Sequence, residues 1–230
     1  MFSKLAWLGI GVFAVVSAVG TSSYASSIDF GSCAQVATPG VVCPNSDSGK
    51  SQITYSNGGL SVTTTGFLNA GGRENLYVKN GGAGETGLGT IIDTADHEIT
   101  ADDFVNIDVS NLWANGISSA QLTIESLQTG EDYKLCQGSI LGSMGGDCVT
   151  GGQAGNTADN TVNISWGASN TMFGIQGYGI SGADVLVDGI TFNTPIPPPP
   201  PVPEPASLLL FGSGLVALAV KRKRLVPQAS

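Results

Sequence analysis

Cations are scarce in this sequence, and histidine is nearly missing. Of nine lysines and arginines, one stands at residue 4 and four at residues 221–224. Only Lys50, Arg73, Lys79 and Lys134 lie between, against 17 of the 18 carboxylates (all but Glu204), a formal charge of −13. Such a surface excludes nucleic acid and anionic lipid as charge-matched partners. It suits a soluble exterior rich in divalent cations. His97 is the single histidine, and no G-x-S-x-G elbow or C-x-x-C pair occurs. A Ser-His-Asp site would have to use His97, which stands between Asp96 and Glu98 in the acidic stretch. A carboxylate pair far apart in the chain is the remaining hydrolytic arrangement. No catalytic residue is assigned, and a non-enzymatic protein is expected.

Long apolar runs are also missing. The two longest regions, Leu5–Val19 and Ala206–Val220, hold 15 residues each. The first follows Lys4 and ends near small residues, Ala18-Val19-Gly20 and Ser23-Tyr24-Ala25. This is the layout of a secretory signal peptide. Its expected extent is residues 1–25, with Ser26 as the mature start. The second region is followed at once by Lys221-Arg222-Lys223-Arg224, a basic stop-transfer pattern that keeps one end cytoplasmic. As a helix it would span about 22 Å, short for a hydrocarbon core of roughly 30 Å. Snorkelling Lys and Arg stems add reach. A transmembrane helix over 206–220 and a basic tail over 221–230 are therefore expected.

Strong helix-forming stretches are absent from the part between. Gly, Ser, Thr, Asn and Asp punctuate short β-branched runs, which predicts an all-β domain over residues 26–193. Gln52–Tyr55 and Leu60–Thr63 flank Asn57-Gly58 and predict a hairpin. Phe104–Val109 and Gln121–Ser126 alternate apolar with polar, so each predicts a strand with one buried face. Leu76–Lys79, Asp132–Cys136, Val162–Trp166, Met172–Ile175 and Val185–Phe192 complete about nine strands, with a bulge or turn at Asp188-Gly189. An antiparallel β-sandwich follows. An exposed edge strand of such a sandwich would permit self-association.

Four cysteines, Cys33, Cys43, Cys136 and Cys148, in an exported chain imply disulfides. Three connectivities are open. The local pairs Cys33–Cys43 and Cys136–Cys148 are expected, each closing a loop worth about 2 to 3 kcal/mol in the chain-entropy model.

Asp93, Asp96, Glu98, Asp102, Asp103 and Asp108 crowd into one stretch, and no Lys or Arg lies between Lys79 and Lys134. Asp93, Asp96, Glu98, Asp102 and Asp103 are candidate Ca²⁺ ligands, because crowded carboxylates outside the cell are often relieved by that ion. A solvated acidic loop is the competing reading. Trp113, Trp166, Tyr77, Tyr133 and Tyr178 could stack on sugar rings or fill the core.

Eight of the 11 prolines fall between Pro195 and Pro205, which predicts a polyproline II linker over 194–205, roughly 34 Å long. It ends in Val202-Pro203-Glu204-Pro205, followed by the apolar helix and the basic end. These three parts in order resemble the PEP-CTERM sorting signal of exported proteins of Gram-negative bacteria. The resemblance implies recognition of Pro203, Glu204 and Pro205 by an exosortase, a multi-spanning membrane cysteine protease. The closing strand before the proline run also resembles the end of jelly-roll-like domains of PEP-CTERM proteins. The expectation is an exported surface or extracellular-matrix protein of a biofilm or exopolysaccharide. The Sec machinery, signal peptidase and exosortase would be its processing partners, and extracellular polysaccharide its contact. It would be anchored in the inner membrane before processing. A carbohydrate-binding module, Ca²⁺-dependent or not, is the second expectation, and a secreted glycan hydrolase the third.

Overall fold

The computed structural model describes residues 23–82, 85–92, 95–152, 160–179 and 183–195. The expected signal-peptide core, most of the proline linker, the sorting motif, the apolar helix at 206–220 and the basic tail lie outside the described residues. No helix among the described residues is long and apolar enough to cross a membrane.

Among the described residues, fourteen strands, one short α-helix and a 3-10 turn at Cys33–Gln35 follow in order. They are β1 (Ser23–Asp29), β2 (Ser46–Asp47), β3 (Gln52–Asn57), β4 (Leu60–Leu68), β5 (Arg73–Glu74), β6 (Leu76–Asn80), β7 (Thr86–Thr90) and β8 (Asp103–Asp108). Then come α1 (Ser110–Ala114), β9 (Ser119–Glu125), β10 (Glu131–Gly138), β11 (Asp147–Gly152), β12 (Asn160–Ser165), β13 (Met172–Gly179) and β14 (Leu186–Pro195). Two seven-stranded antiparallel sheets result. The first runs β12-β9-β14-β7-β6-β2, and β1 also pairs with β14. The second runs β11-β10-β13-β8-β4-β3, and β5 also pairs with β4.

One hydrophobic core joins the two sheets. Ile28, Leu76, Val78, Leu88, Leu122, Ile124, Val187 and Ile190 come from the first sheet, and Ile53, Tyr55, Val62, Val105, Ile107, Leu135, Phe173 and Ile175 from the second. Period-2 placement explains this, since alternate residues of each strand point to the same side. The Phe30 and Tyr55 rings meet at 5.0 Å, and the edge of Trp166 meets Phe173 at 6.0 Å.

Several sequence expectations shift in detail. The β3–β4 turn is tighter than expected: both strands run to Asn57 and Leu60, leaving Gly58 and Gly59 at φ 59° and 85°. That is the positive-φ pair of a two-residue hairpin. The Asp188-Gly189 interruption is a bulge, where the β14–β9 register slips between Val187 and Gly189. β1 begins at Ser23, so the expected mature start, Ser26, falls inside it. β14 runs to Pro195, two residues past the expected domain end. β1, β2, β5, β7 and β11 escape the periodicity reading. β7 is Thr-Gly-Leu-Gly-Thr, with little side chain to alternate.

The reading of Phe104–Val109 as a strand with one buried face needs correction. In β8, Phe104, Val105, Asn106 and Ile107 are all buried. The β10–β11 loop folds back over this part of the second sheet. Asn106 Nδ2 donates to Ser143 O at 3.0 Å, and Gly142 N donates to Asn106 Oδ1 at 2.8 Å. Met144 packs over Gly174 of β13. The Cys136–Cys148 disulfide joins directly opposed residues of β10 and β11 and closes the base of this loop. Cys33 is bonded to Cys43, the other local pair.

Candidate functional site

The acidic stretch is a crossover from β7 in the first sheet to β8 in the second. It passes over the outer face of β6 and β7. Gly89 makes this approach possible, because a Cβ there would collide with the His97 carbonyl. Two rings and two charges then meet across the contact. His97 stacks on Tyr77 with ring centroids 4.1 Å apart. Glu98 turns inward and is 3 % exposed.

Glu98 Oε1 accepts hydrogen bonds from Lys79 Nζ and Ser126 Oγ, each at 2.7 Å. Lys79 Nζ also lies 2.5 Å from Glu85 Oε2, and Ser126 Oγ is 3.2 Å from Glu85 Oε1. One ammonium thus serves two carboxylates. Burial pushes Glu98 up to about 7, against the opposing pull of Lys79 and Ser126. Burial alone would lower Lys79, but the hydrogen bonds and charges of Glu85 and Glu98 raise it instead.

Asp103 sits in a separate set of bonds. Its Oδ1 accepts from Thr100 N and Thr100 Oγ1, each at 2.7 Å, and its Oδ2 accepts from Thr90 Oγ1. Burial raises its pKa despite these donors. Asp96 and Asp102 are exposed, and Asp93 lies outside the described residues. Asp108 stands at the far end of β8, where Oδ1 accepts from Ser110 N at 2.9 Å. Of the four candidate Ca²⁺ ligands that are described, Glu98 and Asp103 are therefore held in separate sets of bonds, and Asp96 and Asp102 face solvent. Among the described residues, no group of three or more His, Cys, Asp or Glu is placed to hold a metal ion.

Sequence distance concealed the central contact. Lys79 stands 19 residues before Glu98, outside the acidic stretch, so the stretch reads as having no cation of its own. Of the five aromatic candidates for sugar stacking, Trp166 and Tyr133 are buried, and Tyr77 is occupied by His97. Trp113 on α1 and Tyr178 on β13 are exposed.

Beyond the crossover, rows of uncharged polar residues cross the outer face of the first sheet. Asn163 of β12 pairs with Gln121 of β9, Gln121 with Thr191 of β14, and Thr191 with Ser27 of β1. The parallel row holds Thr161 and Thr123, and a third pairs Ser165 with Ser119. Their neighbours Leu122, Ile164 and Ile190 point into the core.

Comparison with known proteins decides the reading of the C-terminal end. A family model described as the PEP-CTERM protein-sorting motif matches residues 201–224. The chain carries a PEP-CTERM protein-sorting motif. The match spans Pro203, Glu204 and Pro205, the apolar run, and Lys221, Arg222, Lys223 and Arg224. A PEP-CTERM motif implies an exported protein that is held in a membrane before processing, with an exosortase as its processing partner. Two disulfides fit such a destination. No curated protein matches the PEP-CTERM chain. Among solved structures, one similar to it is described as the K2 cleaved adhesin domain of Lys-gingipain. The two share 12 % identity over 73 % of this chain and 88 % of that one, with a TM-score of 0.29. A likeness of that size supports no argument about ligand or role.

Proposed function

We propose that this PEP-CTERM chain is a non-enzymatic protein of the surface or extracellular polysaccharide matrix of a Gram-negative bacterium. A jelly-roll-like sandwich is its cargo. The match at 201–224, six residues beyond the last strand, carries the reading. An exosortase would read Pro203, Glu204 and Pro205, while the apolar helix and the cations hold the motif at the inner membrane. The chemistry of the described residues supports a passive cargo. Its buried Glu98 and Asp103 are bonded to Lys79, Ser126, Thr90 and Thr100, and its single histidine is stacked on Tyr77. The test replaces Pro203, Glu204 and Pro205 together with alanine. The variant should stay full-length in the inner membrane. Normal release of that variant from the cell would refute the proposal.

A second reading, contact with a neutral polysaccharide, draws support from the rows Asn163–Gln121–Thr191–Ser27 and Ser165–Ser119. They offer hydroxyl and amide groups without charge, on a chain that is acidic elsewhere. Retention of the released protein on neutral polysaccharide gels should fall when Gln121 and Thr191 are both changed to alanine. Retention that is absent, or unaffected by the change, would count against this reading.

A further inference from the structure

Edge strands must be protected, because their unpaired backbone groups accept another strand. The sheet paths end at β3, β11, β2 and β12, while β1 and β5 each pair with a single strand. β1 carries Asp29, and its Ser27 O accepts from Asn57 Nδ2 at 2.8 Å. β5 is two residues long, Arg73 and Glu74. The β3 edge is occupied: Ala37 N donates to Thr54 O, and Thr54 N donates to Thr38 Oγ1, both at 2.7 Å. β2 is two residues long and contains Asp47. β11 starts at the charged Asp147, ends in Gly151-Gly152, and is tied back by its disulfide. β12 has none of these devices. Its six residues, Asn-Thr-Val-Asn-Ile-Ser, carry no charge, no proline and no bulge, and its register with β9 is unbroken.

The ladder shows which of its groups face outward. Trp166 N donates to Ser118 O, the residue directly opposite it. Antiparallel ladders alternate, so Ile164, Val162 and Asn160 also bond toward β9. Thr161, Asn163 and Ser165 therefore aim their N–H and C=O at the free edge. Ser165 O already accepts from Gln137 Nε2 at 2.7 Å. Among the described residues, nothing bonds the main chain of Thr161 or Asn163 on that side.

We propose that β12 is a strand-pairing site for a second copy of this chain, extending the first sheet across a two-fold axis. The register that uses the free groups pairs Thr161 with the partner's Asn163, and Asn163 with the partner's Thr161. The dyad then passes beside Val162, which faces the partner's Val162. This arrangement is self-complementary, as an isologous interface requires. Charge selects the same edge. Two copies of a domain with formal charge −13 repel, yet β12 and residues 119–124 of β9 carry no charge at all. Apolar surface would be covered too. Val162 is half-buried and lines a cavity of about 520 Å³ with Leu135, Val149 and Phe173, and Val149 is 55 % exposed.

Sedimentation equilibrium of the protein recovered from cells, over a range of concentrations, tests the proposal. A monomer–dimer equilibrium is expected. Asn163→Pro removes one outward main-chain N–H together with the exposed side-chain bond from Gln121 Nε2, so it should weaken the dimer by roughly tenfold or more while leaving the fold intact. Asn163→Ala keeps that N–H and should leave the dimer in place. Should the proline variant fail to fold, Val162→Lys places like charges face to face at the dyad and should give monomers. A wild-type protein that stays monomeric at every concentration would overturn the proposal. So would a folded Asn163→Pro or Val162→Lys variant that dimerises like the wild type, or an alanine variant as disruptive as the proline one.

Discussion

The outer face of the second sheet carries a roof over β8 and β13, whereas the outer face of the first carries none over β12, β9, β14 and β1 among the described residues. The roof is the β10–β11 loop, closed at its base by Cys136–Cys148 and fixed in the middle by Asn106. Under it, Asn106 is only 1 % exposed and has both its donor and its acceptor engaged. On the bare side, Gln121, Asn163 and Asn193 are exposed. A polar residue in a strand can thus serve two ends. Buried and bonded, it fixes a piece of the same chain; exposed in a row, it is available to another molecule. The acidic crossover belongs with the first kind, since it covers β6 and β7 and turns Glu98 inward onto Lys79.

Changes on the two sides should have unequal effects. Opening the roof at its base, by changing Cys136 and Cys148 together to serine, should cost roughly 3 kcal/mol in denaturant unfolding, the chain-entropy value for a loop of this size. Asn106→Ala leaves two main-chain groups of the roof without partners. It should cost about 1–3 kcal/mol and speed proteolysis within residues 139–146. A loss under about 0.5 kcal/mol, with no change in cleavage, would mean that the roof is not held by Asn106.

The crossover gives a pH test. Folding raises Glu98 from 4.5 to about 7, so the folded state binds that proton more tightly than the unfolded one. The resulting stabilisation is complete below pH 4.5 and is lost as pH rises through about 7. Asp103 and Glu131 are shifted in the same direction, chiefly by burial. Tm should therefore fall between pH 5 and pH 8, and Glu98→Gln should flatten that slope. An unchanged slope in the variant would assign it to other groups. The smallest effect belongs to the bare side: Gln121→Ala should stay within about 0.5 kcal/mol of the wild type, as surface changes do.

Much of this was legible in the sequence, and the remainder was hidden for physical reasons. Alternation located β3, β4, β6, β8, β9, β10, β12, β13 and β14, because those strands carry large residues on the core side. It passed over β7 and β11, whose glycines leave little to alternate. Asn106 sat at a polar position of a clean alternation, and only the returning loop, 37 residues away, makes it buried. Glu98 looked like one carboxylate among six because Lys79 is brought to it by the sheet, not by the sequence. The sorting motif was plain because it is a local string whose recognition needs no tertiary contact.

The most direct test of the account is the intact mass of the protein recovered from the cell surface or medium. An exported, exosortase-processed PEP-CTERM protein should end near residues 203–205 and weigh four hydrogens less than its sequence, for two disulfides. The same mass fixes the start, at Ser26 if cleavage follows Ala25, or before Ser23 if all of β1 is kept. A mass that still includes residues 208–230 would contradict the account and make the C-terminal segment a plain anchor.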